Sequence, residues 1–209
     1  MHSKLEVNMA FPEEFVTAHY YNHLPIGFDK VVMDPKLGQK NKGNLMPKLY
    51  TAHLPQILNW LHELDQPRIW ENEPCEIPIL LFDKEISFES LLFHYDGTPA
   101  SAALIHHFLS LFSENIRNSK ATIISPAFIS RSKQKEEQEL IRSVSAYTAE
   151  TSFIKFNFNR IGDFWSYAVK HQCTLLVTAK KNQADLAKVL FHFYKGGMWY
   201  ARLSFYLSI

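Results

Sequence analysis

The segment Asp96-Gly97-Thr98 has the residue types and the spacing of a ligand-binding turn. It stands directly before a sequence that predicts a helix from Pro99. The first amides of a helix have no partner within it, so they attract anions, and a carboxylate beside them can hydrogen-bond a ribose hydroxyl or a base. The alternative is structural: Asp96 closes the loop, Gly97 makes the turn and Thr98 caps the helix. Both interpretations stay open on the sequence.

Two lysines are the second candidate for anion binding. Lys180 and Lys181 follow the apolar run Cys173–Thr178, which has the length of a buried parallel strand. An ammonium group at a strand end can hold a phosphate by charge. The alternative is that both side chains are simply solvated at the start of a helix. We include Lys180 with Asp96 in the predicted ligand site.

No catalytic residue is predicted. The chain has no nucleophile elbow, phosphate loop or dinucleotide fingerprint. Asp163 and Asp185 follow predicted strands, but nothing in the sequence pairs them for acid–base chemistry. We therefore expect a protein that is not an enzyme.

Metal and disulfide sites are not predicted either. Among ten histidines, His19 and His23 are spaced by four residues, but the nearby Pro25 disfavours the helix that they would need. The two cysteines, Cys75 and Cys173, lie far apart, which favours a reduced, cytoplasmic setting. Cys173 heads an apolar run and is expected to be a core residue.

The elements that must position these residues follow one another regularly from about residue 78. Apolar or β-rich runs predict strands at 90–95, 121–125, 152–158, 173–178 and 201–208, after an earlier apolar run at 77–82. Residues at helical spacing predict helices from 99, at 133–148, at 161–169 and at 186–193. Strict alternation predicts an α/β fold, a five-stranded parallel open sheet with helices on both faces. In the second helix, Tyr147 is expected to face the core and Glu137 to face water.

The N-terminal part differs in composition. Eight of the ten prolines fall within the first 78 residues, where they interrupt regular structure. One short helix is predicted there, at 54–64. We expect residues 1–80 to form an irregular, proline-rich segment, which is either an independent element or the remnant of a first domain, and residues 81–209 to form the α/β domain.

Charge and hydropathy exclude two classes of partner. The 22 basic and 21 acidic residues nearly cancel, so no basic field predicts nucleic-acid binding. No apolar run of the length that spans a membrane occurs. We expect neither a nucleic acid nor a membrane as a partner.

Aromatic residues are concentrated near the C-terminus. Trp199, Tyr200, Phe205 and Tyr206 accompany a final strand that we expect at the edge of the sheet. Half of the rings there can be explained as core. The rest would form an apolar surface that covers the edge, as in an oligomer interface. We predict a homodimer through residues 199–209, and a protein partner is a further expectation.

The segment 88–209 resembles a universal stress protein domain. SLLFHYDGTPASAALIHHF is similar to the family's opening, a first strand that ends in Asp-Gly-Ser or a close variant, and the five-strand alternation continues the resemblance. The stretch ILLFDKEISFESLLFHYDG resembles the junction between domains of tandem members. The resemblance implies the adenine-nucleotide α-hydrolase-like strand order 3-2-1-4-5, dimerisation near the final strand and, in one branch, ATP binding.

This chain departs from the nucleotide-binding branch after the fourth strand. The family's loop there is rich in glycine, whereas residues 178–185, TAKKNQAD, contain none. Without glycine the backbone cannot approach phosphates closely. We therefore expect a universal-stress-like binding or regulatory protein with a degenerate nucleotide site and no cofactor. The alternative is that ATP, AMP or another small anion still binds at the carboxyl ends of the first and fourth strands, through Asp96, Gly97, Thr98 and Lys180.

Overall fold

The computed structural model describes residues 49–54, 78–83, 86–157, 161–179, 192 and 202–207. Seven strands and three α-helices lie within these ranges. The strands are β1 (Tyr50–His53), β2 (Ile79–Phe82), β3 (Ser90–His94), β4 (Lys120–Ser125), β5 (Glu150–Lys155), β6 (Leu175–Thr178) and β7 (Ser204–Leu207). The helices are α1 (Pro99–Phe112), α2 (Gln134–Tyr147) and α3 (Ile161–Lys170), with a 3-10 turn at Arg131–Lys133 before α2.

All seven strands form one sheet in the order β1-β2-β7-β6-β3-β4-β5. Neighbouring strands are parallel except β2 and β7, which are antiparallel. The five strands predicted from the sequence are β3 to β7, and their order β5-β4-β3-β6-β7 is the 3-2-1-4-5 order that the resemblance implied. The α/β class is therefore confirmed.

The sheet is larger than the sequence predicted because the N-terminal part contributes to it. β1 pairs with β2 along four residues, and β2 covers the outer side of β7. The expected boundary between residues 80 and 81 falls inside β2, and the proline-rich segment that was expected to be irregular contributes β1 and the first two residues of β2 to the sheet. The helix predicted at 54–64 lies outside the described residues except for Leu54, and the helix predicted at 186–193 lies outside them except for His192.

Helices cover both faces of the sheet. The core on the α1 and α2 face includes Phe93 and Tyr95 of the β3 segment, Phe108 of α1 and Leu140 of α2, all 0% exposed. On the opposite face α3 packs its Trp165 ring parallel to Phe205, with ring centroids 5.9 Å apart. Parallel strands buried on both sides need apolar runs, and β6, with the sequence LLVT, is buried at every residue, whereas no residue of the edge strand β5 is fully buried.

Two expectations for α2 are wrong. Leu140 and Val144 are fully buried as predicted, but Tyr147 is 41% exposed and Glu137 only 7% exposed. The buried side of α2 therefore consists of Glu137, Leu140 and Val144, and Glu137 lies over the ends of β4 and β5. No described helix is both long and apolar enough to cross a bilayer.

Candidate functional site

The loop Tyr95–Thr98 leaves β3 at the carboxyl edge of the sheet. The backbone N–H of Tyr95 donates to Ile124 O at 3.0 Å, so pairing with β4 continues one residue beyond β3. Gly97 has a φ of +78°, in the left-handed region that favours glycine, and a Cβ there would meet only Ile129 at 3.7 Å. Gly97 is thus required by the backbone conformation and not by a close approach. Thr98 is the N-cap of α1, whose first residue is proline.

Asp96 is the acceptor that organises this loop. Its Oδ1 accepts hydrogen bonds from Thr98 N at 2.9 Å, Thr98 Oγ1 at 2.6 Å and Ser101 Oγ at 2.5 Å. The Asp96 N–H also donates to Ser101 Oγ at 3.3 Å. One carboxylate oxygen therefore holds the turn and the first turn of α1 together, as the structural interpretation predicted.

The beginning of α1 is largely closed to an anion. Thr98 Oγ1 accepts from the Ser101 amide at 3.3 Å, and Pro99 has no N–H to offer. From the other side, Lys133 Nζ donates to Gly97 O. The Lys133 ammonium group brings a positive charge to the loop, but its hydrogen bond is made to the backbone.

A row of polar side chains crosses three neighbouring strands behind this loop. Ser125 is paired with Lys155, and Tyr95 is one residue beyond the pair His94 and Ile124, so Tyr95, Ser125 and Lys155 are side by side. Glu137 lies over this row: its Oε1 accepts from Ser125 Oγ and from Lys155 Nζ, each at 2.5 Å. A buried carboxylate is thus paired with a cation at the carboxyl edge.

Tyr95 brings a buried hydroxyl to the row. The residue is 0% exposed, and no group in the described part of the chain forms a hydrogen bond with its hydroxyl. Burial, together with the nearby carboxylates of Glu136, Glu137 and Asp96, raises the pKa of Tyr95 to about 12. The hydroxyl therefore lies in a field that disfavours its ionisation.

The other face of β3 carries a second polar contact. His94 Nδ1 and Thr178 Oγ1 are 2.9 Å apart and join the ends of β3 and β6. The His94 ring also packs on Phe164, with centroids 4.1 Å apart. After β3 the chain continues to β4 on one side of β3, while β6 lies on the other side. This is the place where open α/β sheets bind ligands.

The predicted site residues are brought together only in part. Asp96, Gly97 and Thr98 form one loop, while Lys180 lies outside the described residues, as do Trp199 and Tyr200. Phe205 and Tyr206 are 0% exposed within β7. Their place at an exposed edge was expected, and it is wrong because β7 lies between β2 and β6.

The rings of Phe205 and Tyr206 serve the core instead. Tyr206 packs edge-on against Phe108 with centroids 5.1 Å apart, and its hydroxyl is 2.6 Å from His107 Nδ1. Burial raises the pKa of Tyr206. Cys173 is 2% exposed, as predicted for a core residue, and burial raises its pKa. Among the described residues, no group of three or more His, Cys, Asp or Glu could hold a metal ion.

Sequence reasoning missed the cluster of Glu137, Ser125 and Lys155. The available signal was that Ser125 ends the predicted strand 121–125 and Lys155 lies within the predicted strand 152–158, each next to apolar residues. In the structure both residues are the last of their strands and reach the carboxyl edge. Glu136 and Glu137 begin the next helix there, where acidic residues are common for electrostatic reasons alone. Because the helix dipole already explains two acidic residues at this place, nothing in the sequence indicated that Glu137 is buried.

Two described cavities lie elsewhere. A cavity of about 550 Å³ on the α3 face is lined by residues that include Thr122, Tyr167 and His171, and a second of about 420 Å³ adjoins Phe156. Neither contains a site residue predicted from the sequence. Burial raises the pKa of Tyr167, whose ring stacks on His171 with centroids 4.1 Å apart.

Comparison with known proteins finds similarity among solved structures. No protein-family model matches the chain, and no curated protein matches it. A universal stress protein in complex with cAMP is 13% identical, with 44% of this chain and 73% of that chain covered and a TM-score of 0.36. A protein of the same family from Burkholderia pseudomallei is 10% identical, with 52% and 91% covered and a TM-score of 0.35.

A third structure covers more of this chain. The universal stress protein from Archaeoglobus fulgidus DSM 4304 is 6% identical, with 87% of this chain and 64% of that chain covered and a TM-score of 0.45. All three are universal stress proteins, the family that residues 88–209 resemble in sequence. The order of β3 to β7 is the 3-2-1-4-5 order that this resemblance implies.

Proposed function

We propose that this protein is a non-enzymatic binding or regulatory module with a universal-stress-like fold and a degenerate nucleotide site. The observation that carries the proposal is the state of Asp96, whose Oδ1 already accepts three hydrogen bonds from Thr98 and Ser101. A carboxylate used in this way holds the loop in place. A ligand that needed the same oxygen would have to replace at least one of these bonds.

The charged groups around the loop support the same conclusion. Glu137 is paired with Lys155, and Lys133 donates to Gly97 O. Catalytic groups need polar atoms that can contact a substrate, whereas the charged atoms of Glu137, Lys155 and Lys133 form hydrogen bonds within the protein. We expect the partner of such a module to be another protein.

Native mass spectrometry of protein purified without added nucleotide tests this proposal. We expect the mass of the polypeptide alone, with no change of melting temperature when ATP, AMP or cAMP is added at millimolar concentration. A retained nucleotide, or hydrolysis of ATP above that of a heat-denatured control, would contradict the proposal.

A second candidate is the binding of a nucleotide or another small anion at the same edge. The location between β3 and β6 favours it, as does the Lys133 ammonium group beside Gly97. In this proposal Asp96, the Gly97 and Thr98 amides and Lys180 contact the ligand. The geometry supports this candidate less well because Asp96 is already engaged.

A pair of variants separates the role of Asp96 in binding from its role in folding. Asp96→Ala removes the carboxylate, whereas Ser101→Ala removes one donor to it and loosens the same loop. If a ligand is found, loss of affinity in Asp96→Ala alone assigns the carboxylate to the ligand. Equal affinity in both variants and the unmodified chain would reject the second candidate.

The homodimer remains a proposal, and its surface has to be reconsidered. Because β7 is paired on both sides, Phe205 and Tyr206 are not available to a second copy in this fold. A homodimer would therefore use another surface of the chain. Sedimentation at several protein concentrations measures whether it forms.

A further inference from the structure

The larger described cavity lies at the edge of the sheet opposite to the Asp96 loop. Its lining includes Ser90, Lys120 and Glu150, the first residues of β3, β4 and β5, which the register places side by side. We call it the amino-edge cavity, because these are the amino ends of the strands. Its volume of about 550 Å³ falls within the range of about 300–1,000 Å³ that is typical of small-molecule sites.

The floor of the amino-edge cavity is the polar part of the sheet face that carries α3. The register aligns four residues on this face, one each from β6, β3, β4 and β5: Leu176, Leu92, Thr122 and Ser152. The two leucines are 0% exposed, whereas Thr122 and Ser152 line the cavity. The helix explains the difference, because the Phe164 ring of α3 packs on His94 of β3 and α3 therefore lies over the middle of the sheet. The hydroxyl groups are found where the sheet continues beyond the helix.

Four polar side chains meet in the cavity. The Tyr167 hydroxyl forms a hydrogen bond with the Thr122 side chain, and the Cys173 thiol forms one with the Ser90 side chain. Burial raises the pKa of both Tyr167 and Cys173, so the phenol and the thiol are both uncharged near neutral pH. The four side chains come from α3, β4, the residues before β6 and β3. The fold thus brings uncharged hydrogen-bonding groups together from four separate parts of the chain.

The remaining lining supplies a balanced charge and a flat wall. Lys120 Nζ and Glu150 Oε2 are 3.3 Å apart, so these two charges at the rim are paired with each other. Tyr167 and His171 are one helical turn apart on α3, and their stacked rings, with centroids 4.1 Å apart, both line the cavity. The face of an aromatic ring carries negative charge density, so it attracts the C–H bonds that one side of a sugar ring presents. The cavity therefore combines hydroxyl groups for polar contacts with a ring surface for C–H contacts.

We propose that the amino-edge cavity binds an uncharged, polyhydroxylated molecule of the size of a mono- or disaccharide. An anion fits less well, because Lys120 is already paired with Glu150. A purely apolar ligand would leave the hydroxyl groups at the floor without partners, which is costly once water is excluded. The site lies at the other edge of the sheet from Asp96, so the proposal goes beyond the proposed function and does not depend on the state of the nucleotide site.

NMR of the isotope-labelled full chain tests the proposal, with glucose and maltose as the probes in the millimolar range. We expect one of the two sugars to shift the amide resonances of Thr122, Ser152, Tyr167 and His171 in a saturable way, and to leave that of Gly97 unchanged. If neither sugar does so, or if the shifts lie outside the cavity, the proposal is overturned. AMP serves as the charged comparison, and larger shifts in the cavity with AMP than with either sugar would also overturn it.

Two variants and a matched control connect the binding to the cavity. Ser152→Ala removes an exposed hydroxyl and should leave the fold intact, while Tyr167→Phe removes the phenol group. Each should weaken sugar binding by about three- to tenfold, which corresponds to one hydrogen bond. Ser143→Ala removes a serine hydroxyl on α2, on the opposite side of the sheet, and should leave the affinity unchanged. Equal affinity in Ser152→Ala, Tyr167→Phe and the unmodified chain would place the sugar elsewhere and reject the site.

Discussion

Replacing Asp96 by alanine should destabilise the protein even when no ligand is present. Three donor contacts end on Asp96 Oδ1, from Thr98 N, Thr98 Oγ1 and Ser101 Oγ. Hydrogen bonds to a charged acceptor contribute about 1.5–3 kcal/mol each before compensation. The full sum is not expected, because the released groups find other partners.

The contacts that survive the substitution set the expected magnitude. Ser101 Oγ is also 2.9 Å from Thr98 O, so its buried hydroxyl keeps an acceptor. The Thr98 hydroxyl is only half-buried and can turn to water. The net loss is then that of the charged contact with the Thr98 amide, about 2 kcal/mol for Asp96→Ala, while the Thr98 cap itself stays in place. Asp96→Asn keeps an acceptor oxygen and loses the charge beside the helix N-terminus, so about 1 kcal/mol is expected.

Urea unfolding followed by tryptophan fluorescence measures both values. Trp165 is 3% exposed and stacks on Phe205, so its emission should report loss of the core. Glu114→Ala is a suitable control, since this exposed residue pairs with exposed Arg117 and its loss should change the free energy of unfolding by less than about 0.5 kcal/mol. If Asp96→Ala is as stable as this control, Asp96 does not hold the loop and the structural interpretation is refuted.

Three further predictions concern the buried polar groups. At pH 8, Tyr95→Phe should raise the free energy of unfolding by about 1 kcal/mol, because it removes a buried hydroxyl without a described partner. Tyr206→Phe should lower the free energy of unfolding by about 1 kcal/mol, because the contact with His107 is lost. Urea unfolding measures both changes, and a change of the same sign in both variants would refute the comparison. Lys155→Met should lower the free energy of unfolding by about 2 kcal/mol, because it leaves the Glu137 side chain, which is 9% exposed, without its cation and unable to turn to water. Glu137→Gln should lower it by only about 1 kcal/mol, because the remaining Lys155 side chain is 36% exposed and can turn to water. A larger loss in Glu137→Gln than in Lys155→Met, measured by thermal unfolding, would contradict this. The folded chain holds the Tyr95 proton more tightly than the unfolded chain, with a pKa of about 12 against the usual 10, so this contribution to stability is intact below pH 10 and is lost as the pH rises through 12. The advantage of Tyr95→Phe over the unmodified chain should therefore grow between pH 10 and pH 12, and a constant difference across that range would be the contrary result.

The sequence by itself determined the alternation of strands and helices between residues 90 and 179. Apolar runs and helical spacing are local properties, and they place β3, β4, α2 and α3 within a few residues of their observed bounds. The turn at Gly97 and the cap at Thr98 were also evident, because these residue types favour one local conformation. The strand order came from the resemblance and not from spacing.

Only the tertiary structure decided what lies beside β7. A strand's sequence shows that it is buried but does not say which strand covers it, and β2 is separated from β7 by more than a hundred residues. The aromatic rings of Phe205 and Tyr206 therefore looked like a surface patch when they belong to the core. Proline content predicted irregular structure before residue 80, but the prolines flank β1 and β2 without interrupting either strand.

The role of each charged residue was likewise decided by long-range contacts. Glu137 was expected in water together with the other charged residues of its helix, because charged side chains are seldom buried. It is buried because β4 and β5 end beneath it with Ser125 and Lys155, residues 12 and 18 positions away. Burial of a carboxylate is tolerated only where such partners meet, and their meeting depends on the register of the sheet.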